Sequence, residues 1–187
     1  MAVEDFDINL YSKKVLIKAK ARELLPMYFR FVKGIVDCED IPLNISRESY
    51  QDSALIARLR NLLTKRVIRL LDDEARKDPQ SYLMWYQEFQ NFIKEGLYSD
   101  PDNFEDLVKL ARFDASWTKG LVSLEEYIQK MKPGQDSIYF IQAQTRDLAE
   151  SSPYMDPFKG TGNRNLLQSG LIIIFFDRYP CAFLWKY

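Results

Sequence analysis

Residues 53–71 read SALIARLRNLLTKRVIRLL, and this stretch does most to decide the fold. Apolar side chains recur in it every three or four residues, which is the repeat of an α-helix with one apolar face. The residues of this predicted face are Leu55, Ile56, Leu59, Leu62, Leu63, Val67, Leu70 and Leu71. Basic side chains lie mainly around the rest of the helix, and Asp78-Pro79 marks its end.

The segments on either side alternate between strand-like and helix-like patterns. Ahead of the long helix, the sequence predicts a strand at residues 11–19, a short helix at 24–33 that Gly34 closes, and an extended segment at 35–42. After it, the sequence predicts helices at residues 80–95, ending at Gly96, and at 104–113, followed by a helix with a Ser123–Glu126 capping box. The remaining predicted elements are a strand at 137–143, a short helix capped by Thr145 and a buried strand at 171–176.

This order of elements predicts a helix-rich α/β fold, in which a helical linker joins two small α/β subdomains. The predicted division places the end of the first, incomplete subdomain in residues 1–52 and the helical linker region in residues 53–133. Residues 134–187 then form the second subdomain, with an atypical C-terminal end.

The composition excludes several classes of function. The chain has 187 residues, 26 basic and 27 acidic side chains and a net charge of −1, which argues against a dedicated nucleic-acid binder. It contains no histidine, which excludes histidine-dependent nucleophiles and zinc sites. Two cysteines suggest a reducing compartment, and no apolar run is long enough for membrane insertion.

The loop at residues 37–51, DCEDIPLNISRESYQ, is the strongest candidate site. Arg47 follows Ser46, a natural helix N-cap, at a position where the helix dipole disfavours a cation. Together with the amides of Asn44 and Gln51, its guanidinium would suit an anion such as a phosphate. Surface pairing of Arg47 with a nearby carboxylate is the alternative, and spacing does not decide between them.

Three weaker signals have ordinary structural explanations. Asp37, Glu39 and Asp40 would serve a metal-dependent or carboxylate hydrolase, but adjacent carboxylates usually form a solvated turn. The run at residues 160–162, Gly-Thr-Gly, lacks the context of a phosphate-binding loop and predicts a flexible loop. The aromatic residues of the second helix suit either a core or a surface that binds partners; they are Tyr82, Trp85, Tyr86, Phe89 and Phe92.

Residues 31–48, FVKGIVDCEDIPLNISRE, closely resemble the catalytic-loop region in the middle domain of the ninety-kilodalton heat-shock chaperones. The stretches INLYSKKVLI, SALIARLRNLLTKRVIRLL, LVKLARFDAS, VSLEEYIQKMKPGQDSIYFIQA and SSPYMD resemble other parts of that domain in the same order. The resemblance covers residues 8–156, and its details are more similar to the mitochondrial and bacterial branches than to the cytosolic branch.

The resemblance implies a chaperone with a split ATPase, to which this piece contributes without being an enzyme alone. Arg47 matches the family arginine that contacts the γ-phosphate, and Asn44 and Gln51 match polar residues that support the loop. ATP, with Mg²⁺, would be bound mainly by a separate N-terminal domain, so no cofactor or metal is expected for this piece alone. The implied partners are client proteins, possible co-chaperones, and the N-terminal and C-terminal dimerisation domains of the same protein.

The resemblance also implies what this piece lacks: the N-terminal ATP-binding domain, the first half of the middle domain and the C-terminal domain. It ends near Gly160, and the final stretch RYPCAFLWKY departs from the family pattern. A truncation or an erroneous gene boundary would explain that departure. The implied location is the mitochondrial matrix, or otherwise the cytoplasm. An ATP-independent protein-interaction module is the alternative function.

Overall fold

A computed structural model describes residues 6–41, 54–131, 133, 138–143, 145–158 and 165–169. The chain divides into two compact units, Met1–Leu71 and Asp72–Tyr187, with the division inside the long helix. The helix-rich α/β fold is confirmed. The predicted boundaries after residues 52 and 133 stay a prediction.

The first unit contains a three-stranded sheet with the order β2-β1-β3. Strand β1 (Asp7–Ser12) pairs antiparallel with β2 (Val15–Lys18) and parallel with β3 (Lys33–Asp37). The prediction of one strand at residues 11–19 was wrong, because Lys13 and Lys14 have φ values of 49° and 68° and turn the chain back into a hairpin. Alternate side chains of β1 are buried, as expected for a half-buried strand.

The predicted helix at residues 24–33 was also wrong. Two short 3₁₀ turns, Arg22–Leu24 and Met27–Phe29, stand there, and β3 begins at Lys33. Leu25 precedes a proline and is extended, with φ −136° and ψ 153°, because the proline ring disfavours a helical residue before it. Gly34 does not end a helix; it lies in β3 with a φ of 153°, which L-residues rarely adopt.

The long helix is confirmed as α1 (Ala54–Lys77), and most of its predicted apolar face is buried or half-buried. Ile56, Thr64, Ile68 and Ala75 are buried, at intervals of eight, four and seven residues. The predicted face members Leu62 and Leu70 are 56% and 58% exposed. The spacing therefore predicted most of the face correctly, but because leucine lies on several sides of the helix it also included two exposed positions.

The second unit contains helices α2 (Pro79–Ser99), α3 (Phe104–Leu110), α4 (Leu124–Gln129) and α5 (Arg146–Glu150). Helix α2 continues past Gly96, which is buried inside it, so the predicted end at that glycine was wrong. Helix α3 ends before Phe113, because Phe113 begins a strand. The Ser123–Glu126 capping box and the Thr145 cap are confirmed.

The sheet of the second unit has the order β5-β4-β7-β6. Strands β4 (Phe113–Ala115) and β5 (Thr118–Val122) form an antiparallel hairpin that sequence patterns did not predict. Strand β6 (Tyr139–Ala143) pairs parallel with β7 (Asn165–Ser169), which pairs antiparallel with β4. The predicted strand at residues 171–176 and the Gly-Thr-Gly run at 160–162 lie outside the described residues.

Within the described part of the chain, no helix combines the length and apolar character needed to cross a membrane.

Candidate functional site

The predicted catalytic loop leaves the sheet of the first unit directly after β3, and its first turn is held by three hydrogen bonds. The Cys38 amide donates to the Tyr11 carbonyl oxygen (3.0 Å), and the Ile41 amide donates to the Cys38 carbonyl oxygen (3.3 Å). The buried Ser12 hydroxyl donates to the Ile41 carbonyl oxygen at 2.7 Å. Because Ile41 itself is buried, the loop begins from a fixed point on the first unit.

The acidic side chains of this turn are exposed. The Asp37 carboxylate accepts a hydrogen bond from the Lys14 amide at 3.2 Å, so it stabilises the hairpin turn between β1 and β2. Glu39 and Asp40 are exposed beside it. Across the residues that the structure describes, no three or more acidic, cysteine or histidine side chains are grouped to hold a metal ion. The geometry therefore agrees with a solvated turn.

Asn44, Arg47 and Gln51 lie in residues 42–53, outside the described residues. The structure places the last residue before this segment, Ile41, and the first residue after it, Ala54, which begins α1. The predicted grouping of the guanidinium with the two amides stays a prediction.

Two of the five aromatic residues singled out on α2 are core residues with a specific task. The Tyr82 hydroxyl donates to the Leu110 carbonyl oxygen at 2.7 Å, and the Tyr86 hydroxyl donates to the Arg112 carbonyl oxygen at 3.2 Å. Burial raises the pKa of Tyr82 above its ordinary value and that of Tyr86 to about 12. These bonds fix the connection between α3 and β4 against α2.

The other three of these five aromatic residues are half-buried. Trp85 stacks on Phe89 with ring centroids 5.2 Å apart and an interplanar angle of 13°, and Phe92 lies 6.0 Å from Phe89. Part of each ring is exposed, and aromatic rings contribute a large apolar area where they contact a partner. Partner binding by this row stays a prediction.

A cleft in the second unit is the feature that sequence patterns missed. It has a volume of about 630 Å³ and is formed by the end of α1, the start of α2, α3, β5 and α4. Its apolar floor includes Ala75, Leu83, Val108, Leu121, Leu124 and Ile128. Its charged lining residues are Asp72, Arg76, Glu105, Lys109, Arg112, Glu125 and Glu126. These residues come from five elements, so no local spacing of residues in the sequence predicts the cleft.

Comparison with known proteins assigns the chain to a family. A family model described as Hsp90 protein matches residues 2–168. The chain belongs to the Hsp90 family. The match extends past Gly160, so the expectation that similarity to the family ends there was wrong.

The chain is also similar to individual members of the Hsp90 family. It is 47% identical over 154 residues to the chaperone protein HtpG of Desulfitobacterium hafniense, covering 81% of this chain and 25% of that protein. It is 45% identical over 157 residues to the mitochondrial TNF receptor-associated protein 1 homolog of Dictyostelium discoideum, covering 81% and 22%. Identity to HtpG of Klebsiella pneumoniae is 41% over 183 residues, covering 96% and 29%. The chain therefore spans about a quarter of the length of these Hsp90 relatives.

Proposed function

We propose that this chain is part of the middle domain of an ATP-dependent Hsp90 chaperone, and that its loop supplies Arg47 to ATP bound in a separate N-terminal domain. The observation that carries the proposal is the family match over residues 2–168, which includes the whole loop motif at residues 31–48. The names of relatives from bacteria and from mitochondria support a protein of the mitochondrial or bacterial type.

An arginine suits this role for chemical reasons. Its planar guanidinium donates paired hydrogen bonds to phosphate oxygens and stays protonated at any physiological pH. Charge placed where a phosphoryl group transfers lowers the barrier most when it is held in position beforehand. The bond from Ser12 to Ile41 supports the proposal, because it fixes the point from which the loop departs. Asn44 and Gln51 would orient the loop around Arg47.

The nucleotide and its Mg²⁺ would be bound mainly by the N-terminal domain, so this chain would contribute to the ATPase without being an enzyme alone. We expect the intact protein to bind client proteins and co-chaperones and to dimerise through its C-terminal domain. The mitochondrial matrix is the favoured location and the cytoplasm the alternative.

The test is ATP turnover by the intact chaperone that contains this chain, compared with its Arg47→Ala variant. We expect turnover to fall roughly ten- to a thousand-fold, because the variant loses charge stabilisation at the transferring phosphoryl group. Arg58→Ala is the matched control, since Arg58 is an exposed arginine on α1 and its loss changes the net charge equally. Turnover equal to wild type in a folded Arg47→Ala protein would remove Arg47 from the mechanism.

An ATP-independent interaction module is the second candidate function, and the cleft of the second unit is the observation that favours it. The two functions differ in one respect. An interaction module would hold partners equally well in the Arg47→Ala variant and without nucleotide, whereas a split ATPase would not complete its cycle.

A further inference from the structure

The cleft of the second unit has the size and floor of a binding site. Its volume of about 630 Å³ lies in the range of sites that bury one or two side chains or a small ligand. Its floor is apolar, and Ala75, Val108 and Leu124 within it are almost fully buried. An apolar side chain placed on this floor would leave water and gain about 25 cal/mol for each Å² that it buries.

The cations around this cleft already have partners within the chain. Arg76 binds Asp72 through two nitrogen atoms, at 3.2 and 3.0 Å, and Lys109 binds Asp106 at 2.7 Å. The Arg112 guanidinium donates to the carbonyl oxygens of Lys109 (2.7 Å) and Ala111 (2.9 Å) and lies 4.8 Å from the centre of the Tyr82 ring. An anionic ligand would have to displace these contacts.

Four carboxylates line the rim of the cleft, and two of them already have partners. Glu126 accepts a hydrogen bond from the Ser123 amide at 2.8 Å within the capping box, and Asp72 is bound to Arg76. Glu105 and Glu125 are exposed, and among the described residues neither forms a hydrogen bond or an ion pair, although the charge of Glu125 acts on Arg76 and that of Glu105 acts on Lys109. The charge that the rim offers to a partner is therefore negative.

We propose that this cleft binds an extended segment of a partner chain, with an aliphatic or aromatic side chain on the floor and a lysine or arginine at Glu105 or Glu125. Charge complementarity selects this occupant. An acidic segment would be repelled by Glu105 and Glu125, with which no cation of the described residues is in direct contact. A purely polar segment would leave water on the apolar floor of the cleft. The proposal rests on the chaperone function proposed above and names the chemistry of the partner segment that this cleft would bind.

The test uses the 187-residue chain and three fluorescein-labelled peptides of about eight residues. One alternates leucine with lysine, the second leucine with glutamate, and the third serine with lysine. We expect fluorescence anisotropy to show saturable binding of the leucine–lysine peptide and at least about tenfold weaker binding of the other two. Equal binding of the leucine–glutamate peptide, or no binding of the leucine–lysine peptide to the folded chain, would overturn the proposal.

Variants locate the binding. The double variant Glu105→Gln/Glu125→Gln should weaken binding of the leucine–lysine peptide about three- to tenfold, since each exposed ion pair contributes up to about 1 kcal/mol. The control Glu88→Gln/Asp102→Asn removes the same charge from exposed positions outside the cleft lining and should leave binding unchanged.

Two further variants test the floor and the independence of the site. Leu83→Ala should weaken binding by shortening a floor side chain, while Arg47→Ala should not affect it. An equal loss of affinity in the control double variant would place the peptide elsewhere on the surface and overturn the proposal. Circular dichroism of each variant confirms that the exposed substitutions leave the fold intact.

Discussion

The two units hold a turn by the same device, a side-chain hydroxyl that donates to a backbone carbonyl oxygen, but they surround that hydroxyl differently. In the first unit, Ser12 holds Ile41 at the start of the proposed catalytic loop. In the second unit, Tyr82 and Tyr86 hold the connection between α3 and β4. A serine buries almost no apolar surface, whereas a tyrosine buries an entire ring along with its hydroxyl.

Ser12 holds its turn by a hydrogen bond alone. The turn that Tyr82 and Tyr86 hold is also packed into the core. Removing the serine hydroxyl costs one hydrogen bond, so the loop can be loosened without much loss of stability. Removing a tyrosine empties a large volume of the second unit. We infer that the first arrangement suits a segment that must approach a ligand, and the second suits a rigid wall for the cleft.

Tyr86→Ala is expected to have the largest effect. Tyr86 is fully buried, so the variant should lose about 3–5 kcal/mol of unfolding free energy through lost burial and the cavity left behind. Urea denaturation followed by circular dichroism measures the loss. Tyr86→Phe, which keeps the ring and removes only the hydroxyl, should lose about 1 kcal/mol. Equal losses in the two variants would mean that the hydroxyl, and not the ring, distinguishes the second unit.

Alkaline pH is expected to weaken the second unit by a smaller amount. Burial raises the pKa of Tyr86 to about 12 from an ordinary 10.0, so the folded state retains a proton that the unfolded state releases. The contribution of the Tyr86 phenol to the free energy of unfolding is complete below pH 10.0 and is lost as pH rises through about 12. The difference between the folded and unfolded pKa values corresponds to about 3 kcal/mol.

The measurement is the urea midpoint at a series of pH values for wild type and Tyr86→Phe. Wild type should be the more stable protein below pH 10.0, and its advantage over Tyr86→Phe should fall to zero and reverse as pH rises towards about 12, because only wild type carries the phenol. A difference that stays constant throughout that interval would contradict the raised pKa.

Ser12→Ala is expected to have the smallest effect on stability, about 1 kcal/mol, because it removes one buried hydrogen bond and leaves the Ile41 carbonyl oxygen without its donor. In the intact chaperone the same variant should lower ATP turnover while ATP affinity stays the same. Ser99→Ala is the matched control, since the Ser99 hydroxyl donates to the Glu95 carbonyl oxygen at 2.8 Å on the exposed end of α2. An equal fall in ATP turnover in Ser99→Ala would show that Ser12 has no specific effect on the loop.

Local signals in the sequence predicted local structure. The caps of α4 and α5 were correct because a serine or threonine side chain and an amide three residues later decide them without help from the rest of the fold. The hairpin at Lys13 and Lys14 was missed because neither residue is a glycine, asparagine or aspartate, the usual signals of such a turn. The prediction that a helix ends at Gly96 failed because this glycine is buried inside α2, which continues to Ser99.

Features that depend on distant segments were not predictable from spacing. On α1, spacing predicted most of the buried face but also included Leu62 and Leu70, which are exposed, because leucines lie on several sides of the helix. The cleft combines residues from 72 to 128, so only the folded chain brings them together. An arginine at the start of a helix distinguishes the candidate loop, but the role proposed for Arg47 rests on resemblance to a family and not on the physics of the loop.

The position of β7 has a consequence for synthesis of the protein. Strand β7 (Asn165–Ser169) lies between β4 and β6, although it leaves the ribosome after both of them. The sheet of the second unit therefore lacks a central strand until β7 emerges, while the three described strands of the first unit are complete by Asp37. A nascent chain stopped before Asn165 exposes two unpaired strand edges, which are the surfaces that recruit other chains into aggregates.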